Sequence, residues 1–395
     1  MIKRKKKNKE HNPFYDPTLK KRHVSAKRFK KFTLTSLIFS VAFLAFFLFD
    51  MIGKGIPAFN VAFIKVDVTF NEKTLEDTRF AVPTEYRNLV SRAALRDLPK
   101  LLEENPTYMN STQNIWILAS SQVDQYIKNH NHNLKDKDIA KVDELYAQGL
   151  IDKKFNAIFF ENGDSKIPEY AGIFSAVIGS ILTLIITMAV AFPIGVMTAI
   201  YLEEFAGDNK FTRFIEININ NLAAIPSILF GLLGLAIFIN LFGMPRSSPL
   251  VGGLTLALMT LPIIIVSSRA ALRAVPDSIR QAGYGLGLNK IQVTRDHVLP
   301  LAFPGIMTGS IIGLAQAMGE TAPLIIIGMI AFIPDAPSMV TQAATVMPAQ
   351  LFTWAGMPEG MYIEKTAAGI LVLLTILISL NAIAIFLRKK FEVKW

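Results

Sequence analysis

The stretch RAALRAVPDSIRQAGYGLGLNKIQVTRDHVLP, residues 269–300, lies between two apolar segments and is patterned too regularly for a bare connector. Pro276-Asp277-Ser278 makes a helix start, with Pro followed by an acidic and a small polar residue. Ile279, Ala282, Gly283 and Leu286 then fall on one face at helical spacing, and Gly287 closes the helix. A second turn follows, and Leu299-Pro300 leads into the next apolar segment. A short amphipathic helix in this position can bury its apolar side only against lipid headgroups or against another protein.

Outward from this loop the chain reads as a membrane protein. Of 395 residues, 51% are hydrophobic and only 18% charged, against about 25% charged in ordinary soluble chains. The mean hydropathy is +0.38. Six apolar stretches have the length to cross a hydrocarbon core: Phe32 to Ile52, Ala171 to Ile200, Phe214 to Phe242, Leu250 to Ser267, Phe303 to Ile333 and Ala367 to Phe386. Backbone hydrogen bonds must close within each span in lipid, so helices are expected. The absence of cysteine excludes a disulfide framework, a thiolate metal site, a cysteine nucleophile and a redox dithiol.

The net charge of +10 is concentrated at one end. Residues 1–31 carry thirteen Lys/Arg against two acids, and the remaining residues are close to neutral. This basic tail sits directly before the first apolar stretch, where it sets membrane orientation; no nucleic-acid partner is expected. The first stretch is too long for a signal peptide, and no small-residue cleavage site follows it, so it is expected to stay as a transmembrane helix. With the N-terminus inside, the inner segments hold about 24 Lys/Arg and the short outer loops only Arg246 and Lys365. Both termini are therefore expected in the cytoplasm.

Residues 53–168 then read as a small α+β domain inserted outside the membrane. Ala62, Ile64, Val66, Val68 and Phe70 alternate with polar residues, as in a strand. Helices are expected from Pro83 to about Leu102 and from Asp138 to Ala147, the latter capped by Gly149. A second strand is expected over Asn156 to Phe160. His130-Asn131-His132 is read as a solvated loop rather than a metal pair.

The loop 269–300 resembles the signature of ABC-importer permeases: E-A-A, three residues, G, nine residues, I-x-L-P. Gln281, Ala282, Gly283, Gly287, His297, Leu299 and Pro300 fall on its positions, with Gln281, Gly283 and His297 departing in residue type at intact spacing. Residues 171–395 further resemble phosphate ABC-transporter permeases of the PstA type, within the binding-protein-dependent transport inner-membrane component family. The resemblance is carried by Ile225-Pro226-Ser227-Ile228-Leu229-Phe230-Gly231, by Gly319-Glu320-Thr321-Ala322-Pro323, and by the region from Val346-Met347-Pro348 to Asn381-Ala382-Ile383-Ala384-Ile385.

The resemblance implies an all-α polytopic membrane protein: six transmembrane helices, a type I importer permease fold, and the small α+β domain inserted outside. Its domains would be the tail 1–31, the first helix 32–52, the outer domain 53–168 and a five-helix core 169–395 in a bacterial inner membrane. It implies a transport subunit, not an enzyme, with no cofactor. The expected partners are a dimer of ATP-binding subunits, a second permease subunit, an extracytoplasmic phosphate-binding protein and the lipid bilayer. The chain carries no G-x-x-x-x-G-K-S/T loop of its own.

Arg280, Gln281, Ala282, Gly283, Gly287, Leu299 and Pro300 would then couple to the ATP-binding subunit. Gly283 and Ala282 would permit close approach of the two backbones, and Arg280 would meet an acidic rim. Pro226, Ser227, Gly231, Gln316, Glu320 and Thr321 are candidates for the translocation path. A charged Glu320 inside a span costs about 2.5–3.5 kcal/mol, so it should face a cavity or a partner, or be protonated. Three readings stay open for it: pairing with an Arg that handles phosphate, accepting a hydrogen bond from protonated phosphate, or locking helix packing. Gln316, one turn earlier, supplies no intrachain ion pair. Two rival functions remain: a permease for another oxyanion such as molybdate or sulfate, and a membrane sensor that uses the outer domain as receptor.

Overall fold

The computed structural model describes residues 18–330 and 332–391; residues 1–17 of the basic tail and Lys394 lie outside them. The chain divides after Gly53 into two compact units. The described part of the first belongs to one helix, α1 (Leu19–Gly55). Its 37 residues measure about 55 Å at 1.5 Å per residue, well beyond a hydrocarbon core of about 30 Å. The helix starts a dozen residues before the expected Phe32 because Leu19 to Lys31 contains no Pro or Gly to stop it. Phe32, Phe39, Phe43, Phe46 and Phe49 are all exposed on it.

The second unit opens with a three-stranded antiparallel sheet and its helices. In chain order these are β1 (Asn60–Thr69), α2 (Glu72–Glu76), α3 (Arg92–Arg96), α4 (Leu98–Glu104), β2 (Thr112–Leu118), α5 (Ser121–Ile127), α6 (Asp136–Ala147), β3 (Ile151–Phe155) and α7 (Ala157–Glu161). The strand order is β2-β1-β3. Ile64 stands opposite Ile117 on one side and Ile151 on the other. Ala62, Ile64, Val66 and Val68 form the buried face of β1 and pack with Leu89, Leu95, Val123, Val142 and Leu145. A period of two in the sequence thus becomes one wall of a core.

Two expectations fail here for local reasons. The helix expected from Pro83 to Leu102 is broken: residues 84–89 form turns, Val90 bridges to Ala119, α3 starts only at Arg92, and Pro99 sits in the first turn of a separate α4. The strand expected at Asn156 to Phe160 lies earlier, at Ile151–Phe155, because the Asn156 side chain accepts the Phe159 N–H at 3.2 Å and caps α7. Helix α6 runs from Asp136 to Ala147, and Gly149 follows at φ +69°.

The rest of the unit is helical: α8 (Phe174–Ile200), α9 (Lys210–Leu222), α10 (Ser227–Gly234), α11 (Pro249–Arg273), α12 (Asp277–Gly285), α13 (Lys290–Val293), α14 (Leu299–Gly319), α15 (Ala322–Ile326), α16 (Met347–Ala355) and α17 (Gly360–Phe391). Among the described residues, five helices are long and apolar enough to cross a membrane, or six if α9 and α10 count as one broken span. That pair is bent by 104°. The expected single span Phe214 to Phe242 is therefore not one rod. Pro226 stops it, because a proline disfavours helical geometry in the residue before it and supplies no N–H. The fifth stretch also ends early. Helix α14 stops at Gly319, and Glu320 is extended at ψ 126°, where the expectation ran to Ile333.

Helix α11 runs between α8 and α14 at short range because the contacts are made by small residues. A Cβ on Gly253 would lie 2.6 Å from Ile186, and one on Gly309 2.0 Å from the Ser267 hydroxyl. The sheet portion is fastened to the start of α17. The Glu364 carboxylate accepts from Gln125 at 2.7 Å and Lys128 at 3.1 Å, and it also contacts the His130 ring. His132 packs edge-on against Tyr126. The loop read as solvated is therefore part of a junction. Lys365, counted as an outer-loop charge, is fully buried and donates to the carbonyls of Pro168, Glu169 and Ala171.

Candidate functional site

The segment between α11 and α14 folds as the sequence spacing anticipates. Pro276 occupies the N-cap of α12, and Asp277 stands in its first turn, where a negative charge meets the positive end of the helix dipole. Gly287 has φ +80°, a left-handed conformation that glycine adopts without strain, and it reverses the chain. Asn289 and Gln292 then cap α13 reciprocally, each side chain accepting the other's backbone N–H at 2.9 Å. Wider turns over Thr294–Val298 carry the chain into α14, with Leu299 half-buried and Pro300 exposed in its first turn.

The side chains divide into an inner set that builds the segment and an outer set that it presents. Gly283 belongs to the inner set. It is buried, and a Cβ there would lie 2.8 Å from Val293. Its small size lets α12 close on α13 of the same chain; the expectation had given it to a partner's backbone. Arg280 also turns inward. Its guanidinium pairs with Glu204 at 2.7 Å. It also donates to the carbonyls of Leu272 at 3.0 Å and Val275 at 2.8 Å, and reaches Asp277 at 3.2 Å. It thereby caps the end of α11 and ties α12 to the end of the α8 helix. The Glu204 carboxylate holds the guanidinium pKa above its ordinary value. The acidic group expected on a partner is thus supplied by this chain.

Arg280 is one of three such links. Arg269 pairs with Glu203 at 3.3 Å and with Glu216 at 2.5 Å, and Arg273 pairs with Glu203 at 2.7 Å. Three arginines and three glutamates join the C-terminal ends of α8 and α11 to α9 and α12. In sequence, Arg269 and Arg273 read only as orientation signals and Arg280 as a contact for a partner's acidic rim, while Glu203-Glu204 carried no assignment. Two adjacent acids directly after an apolar stretch, with arginines one helical turn apart at 269 and 273, were the available clue.

The outer set is apolar. Leu286 is 80% exposed, Ile291 64% and Tyr284 44%. Gln281 and Ala282 are exposed beside them. A shallow cleft of about 350 Å³ runs alongside, lined by Ile279, Ala282, Gly283, Leu286, His297 and Pro300 among others. Tyr284, Leu286 and Ile291 thus form an exposed apolar knob on the segment.

The second group of candidates meets at the two helix breaks. Pro226 is the N-cap of α10 and Ser227 its first residue. Gly231, one turn further on, faces Pro323: a Cβ there would lie 2.7 Å from the Pro323 Cα. The two motifs Ile225 to Gly231 and Gly319 to Pro323, far apart in sequence, are therefore packed together. Glu320 and Thr321 sit half-buried at the break between α14 and α15, and Gln316 is exposed one turn before. No ion pair or hydrogen bond of the Glu320 carboxylate occurs among the described residues. Irregular backbone at membrane depth is tolerated where it is buried in protein or lines a cavity.

A domain-of-unknown-function profile matches residues 16–86 and 81–136, which include α1 and much of the sheet portion. Among curated proteins, the phosphate transport system permease protein PstA of Mycobacterium leprae (strain TN) is 36% identical over 160 residues, 40% of this chain and 52% of that one. The probable ABC transporter permease protein YqgI of Bacillus subtilis (strain 168) is 33% identical over 168 residues, 42% of this chain and 56% of that one. The chain spans about half the length of these two relatives. The PstA protein of Yersinia pestis is 31% identical over 245 residues, 61% of this chain and 81% of that one. A solved inward-facing structure of the MetNI methionine ABC transporter superposes with TM-score 0.45 at 16% identity, covering 56% of this chain and 98% of that one. The profile of the binding-protein-dependent transport system inner membrane component matches residues 191–393, more than half of the sequence and all the candidate residues of both groups, and the chain belongs to that family.

Proposed function

We propose that this chain is the membrane-spanning permease subunit of an ATP-driven phosphate importer, working with a second permease subunit, a dimer of ATP-binding subunits and an extracytoplasmic phosphate-binding protein. The observation that carries the reading is the knob of Tyr284, Leu286 and Ile291, exposed on a segment that Arg280, Gly283 and Gly287 hold rigid. A motor subunit that closes around ATP needs such a handle, and the Arg–Glu links at Glu203, Glu204 and Glu216 would pass its movement to α8, α9 and α11. Gln281, Ala282, Leu299 and Pro300 border the contact in this reading, while Arg280, Gly283 and Gly287 act by positioning it. Phosphate as the cargo is supported by the likeness to the PstA proteins.

In this reading the fold is that of a type I importer permease with six spans, the α9–α10 pair counting as one. Both termini face the cytoplasm, supported by the excess of Lys/Arg in the inner segments. Residues 53–168 then form an α+β domain on the outer face. Pro226, Ser227, Gly231, Gln316, Glu320 and Thr321 lie along the path, where the two helix breaks offer backbone groups to an anion in transit. The subunit performs no chemistry; ATP is hydrolysed by its partner.

The test is uptake of labelled phosphate by the reconstituted complex, with sulfate and molybdate as competing cargo. Phosphate uptake that depends on ATP and is lost in Leu286→Asp supports the reading. Uptake of sulfate or molybdate in place of phosphate overturns the cargo. Unchanged uptake in Leu286→Asp overturns the coupling.

A further inference from the structure

The segment between Gly53 and Ile167 carries eleven lysines but only four arginines: Arg79, Arg87, Arg92 and Arg96. All four arginines line one cleft, and of the eleven lysines only Lys135 does. The cleft consists of two adjoining cavities of about 690 and 580 Å³, which share Arg87, Asn88, Arg92 and Arg96. Such sorting of arginine from lysine has a physical meaning. A guanidinium offers a planar fork of donors that matches two oxygens of an oxyanion, whereas an ammonium is a point charge.

The four are not equivalent. Arg79 is neutralised within the cleft: Asp77 accepts from it at 2.6 Å, and the arginine lowers the Asp77 carboxyl to about 2. Arg87 is held in place, its guanidinium 5.0 Å from the centre of the Phe80 ring. Arg92 and Arg96 are exposed, one helical turn apart on α3, and form no ion pair among the described residues. Like charges at this spacing repel each other. The carboxylates that remain are Asp138, half-buried in the first turn of α6, and Glu169, which is buried and accepts the Ser121 backbone N–H at 2.5 Å. Asn88, Ser120, Gln122 and Asn133 add neutral hydrogen-bonding groups to the wall.

We infer that this cleft is a binding site for a phosphate-class oxyanion, with Arg92 and Arg96 as its principal ligands and Arg87 and Asn88 beside them. Two unneutralised forks on one face give a tetrahedral anion bidentate partners, and the second cavity leaves room for a further phosphoryl group. The site stands on the cleft alone. That it faces the side from which cargo arrives rests on the permease reading, and there it would gather anion near the mouth of the path. The same chemistry could be supplied by free phosphate or by the phosphodiester of a lipid headgroup.

The test uses the full chain in nanodiscs of phosphatidylcholine, without ATP, so that it is independent of transport. Inorganic phosphate is titrated by calorimetry, and hydrogen exchange of residues 79–96 is followed with and without it. The expected result is saturable binding, slowed exchange across 79–96, and affinity at least tenfold weaker in the Arg92→Gln/Arg96→Gln double variant. The Arg92→Lys/Arg96→Lys variant keeps the charge and should fall between the two, which excludes misfolding as the cause. A second arm replaces part of the lipid with phosphatidylglycerol. Protection of 79–96 there without added phosphate identifies the headgroup as the source; protection only on adding phosphate identifies the free anion. No protection in either arm, or identical binding in wild type and the double glutamine variant, overturns the site whatever the uptake assay shows.

Discussion

Arginines around the segment between α11 and α14 and arginines in the sheet portion are used in opposite ways. Arg269, Arg273 and Arg280 each meet a glutamate on another element, at 2.5 to 3.3 Å. Arg92 and Arg96 meet none among the described residues. The first set joins elements; the second set is left with its charge available. Counting charge along the sequence treats both alike, and it is the pairing in space that separates a mechanical joint from a binding surface.

The largest effect is expected at the joint. Removing Arg280 leaves Glu204, 6% exposed, as an uncompensated buried charge. Arg280→Ala should lower stability by about 3 kcal/mol, read as a fall in the melting temperature of the purified protein. The double variant Arg280→Met/Glu204→Leu should recover most of it, because a buried pair replaced by packed apolar groups is often close to neutral. An uncharged contact supplies the control. Gly231→Ala places a Cβ 2.7 Å from the Pro323 Cα, which is backbone and cannot turn away. It should cost about 1–3 kcal/mol in the same assay. In the cleft, by contrast, Arg92→Gln and Arg96→Gln should each change stability by less than about 0.5 kcal/mol. A loss as large as that at Arg280 would show that these arginines have a structural partner.

A pH dependence supplies a separate check. Asp164 accepts the Trp354 indole N–H at 2.8 Å, and burial pushes its carboxyl up to about 6. A carboxyl that holds its proton more tightly when folded stabilises the fold below about pH 4. That contribution is lost as pH rises from about 4 to about 6. Asp164→Asn should flatten the melting temperature across this window, because the amide can still accept from Trp354 but no longer ionises.

The long helices were legible in the sequence because an apolar run of some twenty residues has few other solutions. The loop 269–300 was legible because Pro276, Gly283 and Gly287 carry local signals that need no distant partner. What was not legible depends on groups far apart in the chain. Arg280 finds Glu204 76 residues away, and Gly231 finds Pro323 across two helix breaks. Sequence spacing could place these residues on helix faces but not say which faces meet. The breaks at Pro226 and Glu320 left visible traces, a proline behind three asparagines and a Gly-Glu-Thr-Ala-Pro run, yet the apolar residues around them masked the interruption. The strand displaced to Ile151–Phe155 turned on one asparagine acting as a cap, which competes locally with extended structure.

The knob itself can be tested without background reaction from this chain, because it contains no cysteine. A single Leu286→Cys, carrying a short bifunctional cross-linker in the assembled transporter, should form one covalent adduct with the ATP-binding subunit, while Arg280→Cys, facing inward, should form none. Adducts at position 280 with none at 286, or none at either position in an assembly that still imports phosphate, would contradict the proposed coupling.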